Sequence, residues 1–285
     1  MTGETLVIGP ASGHEHTHTI IFLHGRDSTN AEFASELFES EVLVGYRDAK
    51  EDQRTLPALL PTTRWVFPTA PMLKAERFGI DMSQWFDMWS VEDPGERAET
   101  QLEGLRQSVA AISETIRSEE TLVPRRNIFL AGISQGFVTA LTTFFVDGRG
   151  GFAGLIGLCS WMPCASLLDR MVPDIRNESA IRDSQAMYSG APAQDPVSMV
   201  ALRATPIFLA HAADDDVVPI GHGEQMRDVL STKLRFDVSR HTYAEGGHWV
   251  NEPQGVEDMI DFITKHMALR ESVEDLERAP NGGAV

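Results

Sequence analysis

Apolar and polar positions along the chain fall into two rhythms. Short uncharged runs recur at 5–8, 19–23, 65–67, 128–131, 152–158 and 206–210, each closed by glycine, proline or a polar turn. Runs this short and continuous read as strands buried on both faces. Between them lie stretches with apolar residues spaced by threes and fours. In 98–118 these are Leu102, Leu105, Val109, Ile112 and Ile116, and the spacing predicts an amphipathic helix. Helices are likewise expected over 31–43, 223–230 and 256–269, and a further alternating strand over 234–243. Strands alternating with helices predict an α/β fold, a mainly parallel sheet covered by helices on both sides. With no internal repeat and no clear linker, one domain is expected over 1–270. The mixed stretch 165–203, with Pro173, Pro192 and Pro196, is expected to form a lid or cap, and the charged, then Gly-rich 271–285 a disordered tail.

The stretch 127–146, NIFLAGISQGFVTALTTFFV, carries no charge. A membrane span is one reading of such a run. Its Gly, Ser, Gln, Asn and Thr residues, and the lack of a basic flank marking an inside end, argue against it. Within it Gly132-Ile133-Ser134-Gln135-Gly136 forms a G-x-S-x-G pentapeptide, with a strand pattern before and a helical apolar face after. That context places Ser134 at the apex of a sharp strand-to-helix turn, where small flanking residues are required and helix N–H groups can hold a negative oxygen.

Charge narrows the function. The 285 residues carry 24 Lys and Arg against 42 Asp and Glu, a net −18. No basic footprint exists for nucleic acid, and an anionic lipid surface would repel the chain. Cys159 and Cys164 are the two cysteines, too few for a disulfide framework, and C-x4-C alone is not a zinc site. The N-terminus has no signal-peptide pattern, so reduced thiols and a cytoplasmic location are expected. His14-Glu15-His16-Thr17-His18 spells H-E-x-x-H, a zinc pattern that works only on a helix, yet it runs into the strand 19–23. Neither metal nor cofactor is expected.

A serine hydroxyl needs a base, and the base needs an orienting carboxylate. Ser134 is followed by Asp214, Asp215 and Asp216 at the end of one predicted strand, then by His248 in a Gly-Gly-His turn after the next. Serine, acid, histidine is the chain order of hydrolases that use this elbow. The strand 19–23 ends at His24-Gly25-Arg26, where the N–H of Arg26 can face Ser134; with the N–H of Gln135 it would form an oxyanion hole. His24 reads as a brace for this loop. The cluster Trp85-Phe86-Asp87-Met88-Trp89 either packs on the body of the domain or walls an acyl pocket.

These pieces together resemble the phospholipase/carboxylesterase family of α/β-hydrolases, which includes the acyl-protein thioesterases. The matching segments are Ile21-Phe22-Leu23-His24-Gly25, Trp85-Phe86-Asp87, Gly132 to Gly136, Ser160-Trp161-Met162-Pro163, His211 through Val217-Val218-Pro219, and Gly247-His248. The resemblance spans about residues 15 to 268. It implies an α/β-hydrolase fold, a Ser134-His248-Asp215 triad and an oxyanion hole from Arg26 and Gln135; apart from the resemblance, Trp85, Phe86, Trp89 and Trp161 are the candidate pocket residues. It selects Asp215 through the family's H-G-x-x-D-x-x-V-P pattern. The chain departs from the family at Asp27, where a glycine is usual, at Phe137, where a second glycine is usual, and in the length of 165–203. The expected substrate is a small-molecule carboxylic ester or an acyl thioester, through an acyl-enzyme. A thioesterase or lysophospholipase for long acyl chains stands beside that reading, a hydrolase fold turned binding protein stands further off, and a homodimer is left open.

Overall fold

The computed structural model describes residues 4–163, 182, 185–188 and 198–278, with side chains as far as residue 268. Seven strands form the main sheet in the order β1-β3-β2-β6-β7-β8-β9. They are β1 Leu6–Ile8, β2 His18–Leu23, β3 Thr63–Phe67, β6 Ile128–Ile133, β7 Gly154–Leu158, β8 Ile207–Ala212 and β9 Val238–Tyr243. β1 pairs antiparallel to β3; every other neighbouring pair is parallel. A separate antiparallel hairpin, β4 Met72–Ala75 and β5 Ile80–Ser83, stands apart from this sheet. Its strands were not foreseen: MLKA and IDMS are short and charged, and show no clean alternation.

Period-2 alternation explains how one run serves two cores. Ile21 and Leu23 of β2, with Leu130, Leu155 and Ile207, face Val109, Ile112 and Ile116 of α3 (Gln101–Glu119) and the apolar side of α4 (Gln135–Asp147). Ile20 and Phe22, with Phe129, Ile156 and Phe208, face Phe33 and Leu37 of α1 (Asn30–Glu39) and Val256, Met259 and Ile260 of α7 (Gln254–Arg278). α1 begins at a capping box in which the Thr29 hydroxyl accepts from the Glu32 N–H and the Glu32 carboxylate accepts from the Thr29 N–H. Shorter helices are α2 Leu56–Leu59, α5 Met199–Arg203 and α6 Ile220–Asp228. The fold is that of an α/β-hydrolase.

α4 is buried on nearly every side as far as Phe145, which explains why it carries no charge before Asp147. Its threonines satisfy themselves locally. Thr139, Thr142 and Thr143 donate to the carbonyls of Gln135, Val138 and Thr139 at 3.1, 2.7 and 2.8 Å. No helix among the described residues is long and apolar enough to cross a membrane. The H-E-x-x-H letters do not sit on a helix: His14 is exposed in a turn and His18 opens β2. Most of the stretch expected to be a lid, 165–203, lies outside the described residues. The last helix continues to Arg278, beyond its periodic part, and 279–285 of the expected disordered tail lie outside the described residues.

Candidate active site

β6 ends at Ile133 and α4 begins at Gln135, so Ser134 makes the whole turn, with φ +54° and ψ −127°. A non-glycine residue there is strained by about 1–3 kcal/mol, held in place by its surroundings. Its N–H donates to Leu158 O at 2.8 Å, and its carbonyl accepts from the Ser160 hydroxyl at 2.8 Å. The glycines either side have steric reasons. A Cβ on Gly132 would lie 2.4 Å from the N of Phe137, and one on Gly136 2.4 Å from the carbonyl oxygens of Leu23 and His24. These obstacles are backbone and cannot swing aside. Gly136→Ala is therefore expected to cost about 3 kcal/mol or more of folding stability, readable as a shift in the denaturant midpoint.

Two departures from the family pattern find local reasons. Phe137 is fully buried, and its ring lies where a Cβ on Gly157 of β7 would fall, 2.4 Å away. The bulk lost at Gly157 makes room for the bulk gained at Phe137. Asp27 adopts φ +60°, the left-handed region that glycine fills without strain and that Asp tolerates better than most residues.

His248 follows β9 in a turn opened by Gly246 (φ +140°) and Gly247 (φ +59°). Its Nδ1 lies 2.8 Å from Asp215 Oδ2, leaving Nε2 free of the carboxylate. Asp215 is buried just beyond β8 and accepts three more hydrogen bonds: from the N–H groups of Val217 and Val218 at 2.9 and 2.8 Å, and from His211 Nε2 at 3.1 Å. Burial alone would push this carboxyl up. The donors from His211, His248 and Val218 outweigh it and hold Asp215 well below the usual carboxylate range. The neighbouring acids do other things: Asp214 accepts from the N–H of Gly246 and Gly247, and Asp216 is exposed.

The serine and the imidazole share a cavity of about 430 Å³. Phe33, Phe78, Met82, Met88 and Trp161 give it apolar walls, and Arg26 and Asp27 also line it. Of the four pocket residues expected from the sequence, only Trp161 lines it. Trp85 and Phe86 are fully buried in the core between the sheet and α3, and Trp89 stacks under the Arg97 guanidinium, 3.7 Å from its ring centroid. Met88, from the same aromatic run, is the wall, while Phe78 and Met82 come from the unforeseen hairpin. As the first residue of α4, Gln135 has an N–H with no acceptor inside the helix. His24 braces: its Nε2 accepts from the Ala70 N–H at 3.1 Å, so Nδ1 carries the proton donated to Gly25 O at 2.7 Å.

Cys159, His211 and Asp215 bring three metal-capable atoms within 4.8 Å of one another. The donors are otherwise engaged. His211 Nε2 also lies 2.9 Å from Val218 O, Asp215 holds His248, and the Cys159 Sγ faces Trp249 O at 3.3 Å. Burial, then the nearby Asp215 charge, pushes the thiol far above its ordinary range.

Comparison with known proteins follows the same outline. The sequence profile of the family described as Phospholipase/Carboxylesterase matches residues 6–177 and 186–267. Acyl-protein thioesterase 1 of Yarrowia lipolytica is 28% identical over 251 residues, covering 87% of this chain and 90% of that protein. The protein of the same name from Mycosarcoma maydis is 26% identical over 276 residues, covering 92% and 96%. Among solved structures, Zea mays acyl-protein thioesterase 2 superposes with a TM-score of 0.67 at 22% identity, covering 93% of this chain and 99% of that one.

Proposed function

The chain belongs to the phospholipase/carboxylesterase family and is a hydrolase of ester or thioester bonds, and from that premise we propose that it cleaves carboxylic esters by an acyl-enzyme route through Ser134, His248 and Asp215. The observation that carries this reading is the 2.8 Å Nδ1–Oδ2 bond from His248 to Asp215, at a cavity whose wall includes the strained Ser134. With Nδ1–H donated to the carboxylate, Nε2 is the basic nitrogen. It takes the Ser134 proton as Oγ attacks the carbonyl carbon. The N–H groups of Arg26 and Gln135 receive the oxyanion. His248 then returns the proton to the departing alcohol or thiol, and water repeats the sequence to release the acid. Asp215 stays ionised throughout and steadies the imidazolium. Every group in this scheme belongs to the chain itself, and the cytoplasm is its proposed location.

A second reading keeps the chemistry and lengthens the acyl group. The apolar walls of the cavity favour a hydrocarbon tail, and the relatives just described are called acyl-protein thioesterases. Rates on butyryl and palmitoyl esters, and on the matching thioesters, separate the two. A kcat/KM that rises with chain length and is greater for the thioesters selects the second. A fluorophosphonate probe should label Ser134 in the native protein, because only an activated serine reacts. No labelling would return the fold to a binding role.

A further inference from the structure

The residues just after the β4–β5 hairpin hold both arms of the proposed oxyanion hole. Gln84 is fully buried, and each end of its amide is used. Its Oε1 accepts from Arg26 Nε at 2.9 Å, and its Nε2 donates to Leu73 O at 3.2 Å. Its own N–H donates to Pro71 O, and the preceding residue, Ser83, accepts from the N–H of Asp27 at 2.7 Å. The residues that follow grip the opposite arm. The buried Gln135 side chain accepts from the Trp85 N–H and donates to Phe86 O, both at 2.8 Å. The Trp85 indole donates to His24 O at 2.8 Å, and the Ser108 hydroxyl fastens Trp85 O to α3.

We infer that Gln84 is a positioning residue: it clamps the Arg26 side chain so that the Arg26 N–H stays aimed at the oxyanion. The inference rests on the reading of Ser134, Arg26 and Gln135 given above. The physical need is plain. Arg26 sits between Gly25, whose carbonyl accepts from His24 Nδ1, and the left-handed Asp27, whose N–H is held by Ser83 O, and Gln84 adds a hold on the residue between these two anchors. An oxyanion donor acts only when pre-aimed, and shifts of an ångström are costly. Gln supplies what the place demands, an acceptor for Arg26 and a donor for Leu73 in one side chain. Asp87 does not replace it, because its Oδ1 lies 3.8 Å from Arg26 Nη2.

The test is Gln84→Met, which keeps the volume and removes both hydrogen bonds. Wild type is first labelled with a fluorophosphonate, with Ser134→Ala as control. Absent labelling ends the underlying reading and not this inference alone. With labelling present, kcat on a p-nitrophenyl ester should fall about tenfold while KM stays within about twofold, a fraction of what losing a whole oxyanion donor costs. Inhibition by a trifluoromethyl ketone, which mimics the tetrahedral species, should weaken by a similar factor. Gln84→Glu, which restores the acceptor, should recover part of the rate. Arg26→Met breaks the same bond from the other side and keeps the N–H. If the clamp acts through Arg26, the double variant loses no more kcat than the worse single one. Unchanged kcat in Gln84→Met, or a full further tenfold loss when it is added to Arg26→Met, overturns the inference. Should Gln84→Met fail to fold, an unaltered kcat in Arg26→Met does the same.

Discussion

Ser134→Ala is expected to lower kcat by roughly 10⁴- to 10⁶-fold while the protein stays folded. The methyl group keeps the Cβ and removes the nucleophile, so His248 has no proton to accept. Alanine takes the same left-handed turn at a similar cost, and the bonds from the Ser134 N–H to Leu158 and from Ser160 to the Ser134 carbonyl are main-chain features that survive. The melting temperature should therefore move by no more than a few degrees. Hydrolysis of a p-nitrophenyl ester and a thermal melt on the same sample make the measurement. Wild-type turnover in the variant would remove Ser134 from the mechanism.

Asp215→Asn is the other large effect, for a different reason. The oxygen facing Val217 and Val218 accepts two N–H groups, so an amide would place its own oxygen there and turn its NH₂ toward His248 and His211. That NH₂ donates to His248 Nδ1 and forces the proton onto Nε2, the nitrogen that must be bare to accept from serine. A loss of about 10⁴-fold in kcat is expected, as for other triads given the wrong tautomer. The NH₂ also meets the His211 N–H donor head-on, so stability should fall too. The pH dependence of that stability follows from the depressed carboxyl. Its folded value lies below the unfolded one, so its contribution is present above the ordinary carboxylate range and is lost as pH falls through the folded value. Between pH 5 and 8 it is fully present. Wild-type stability should thus lose the carboxyl's contribution only in strong acid, which urea titrations of wild type at several acidic pH values would read.

The chemistry was more legible in the chain than the surroundings of the chemistry. Gly132 and Gly136 could be read because backbone crowding leaves no other residue type. Strand order narrowed the acid to Asp214, Asp215 or Asp216 and only the family resemblance chose Asp215, the carboxylate that lies 2.8 Å from His248 Nδ1. The pocket could not. A run such as Trp85 to Trp89 looks the same whether its rings face a cavity or a core, and the answer came from α3, which covers Trp85 and Phe86 and leaves Met88 to the cavity. Phe78 and Met82 escaped notice because their hairpin shows no periodic pattern. Gln84 and Arg26 meet across 58 positions, and nothing in an isolated amide side chain announces which guanidinium it will hold. Phe137 stood only as a departure from the family's glycine in the sequence, because Gly157, which accommodates it, lies on another strand.

The order of these parts along the chain has a consequence for truncated copies. The alcohol is in place once β6 and α4 exist, but its proposed base, His248, follows only after β9. A copy cut short before that loop would carry Ser134 without His248, and under the proposed route its hydroxyl would stay as unreactive as an ordinary alcohol.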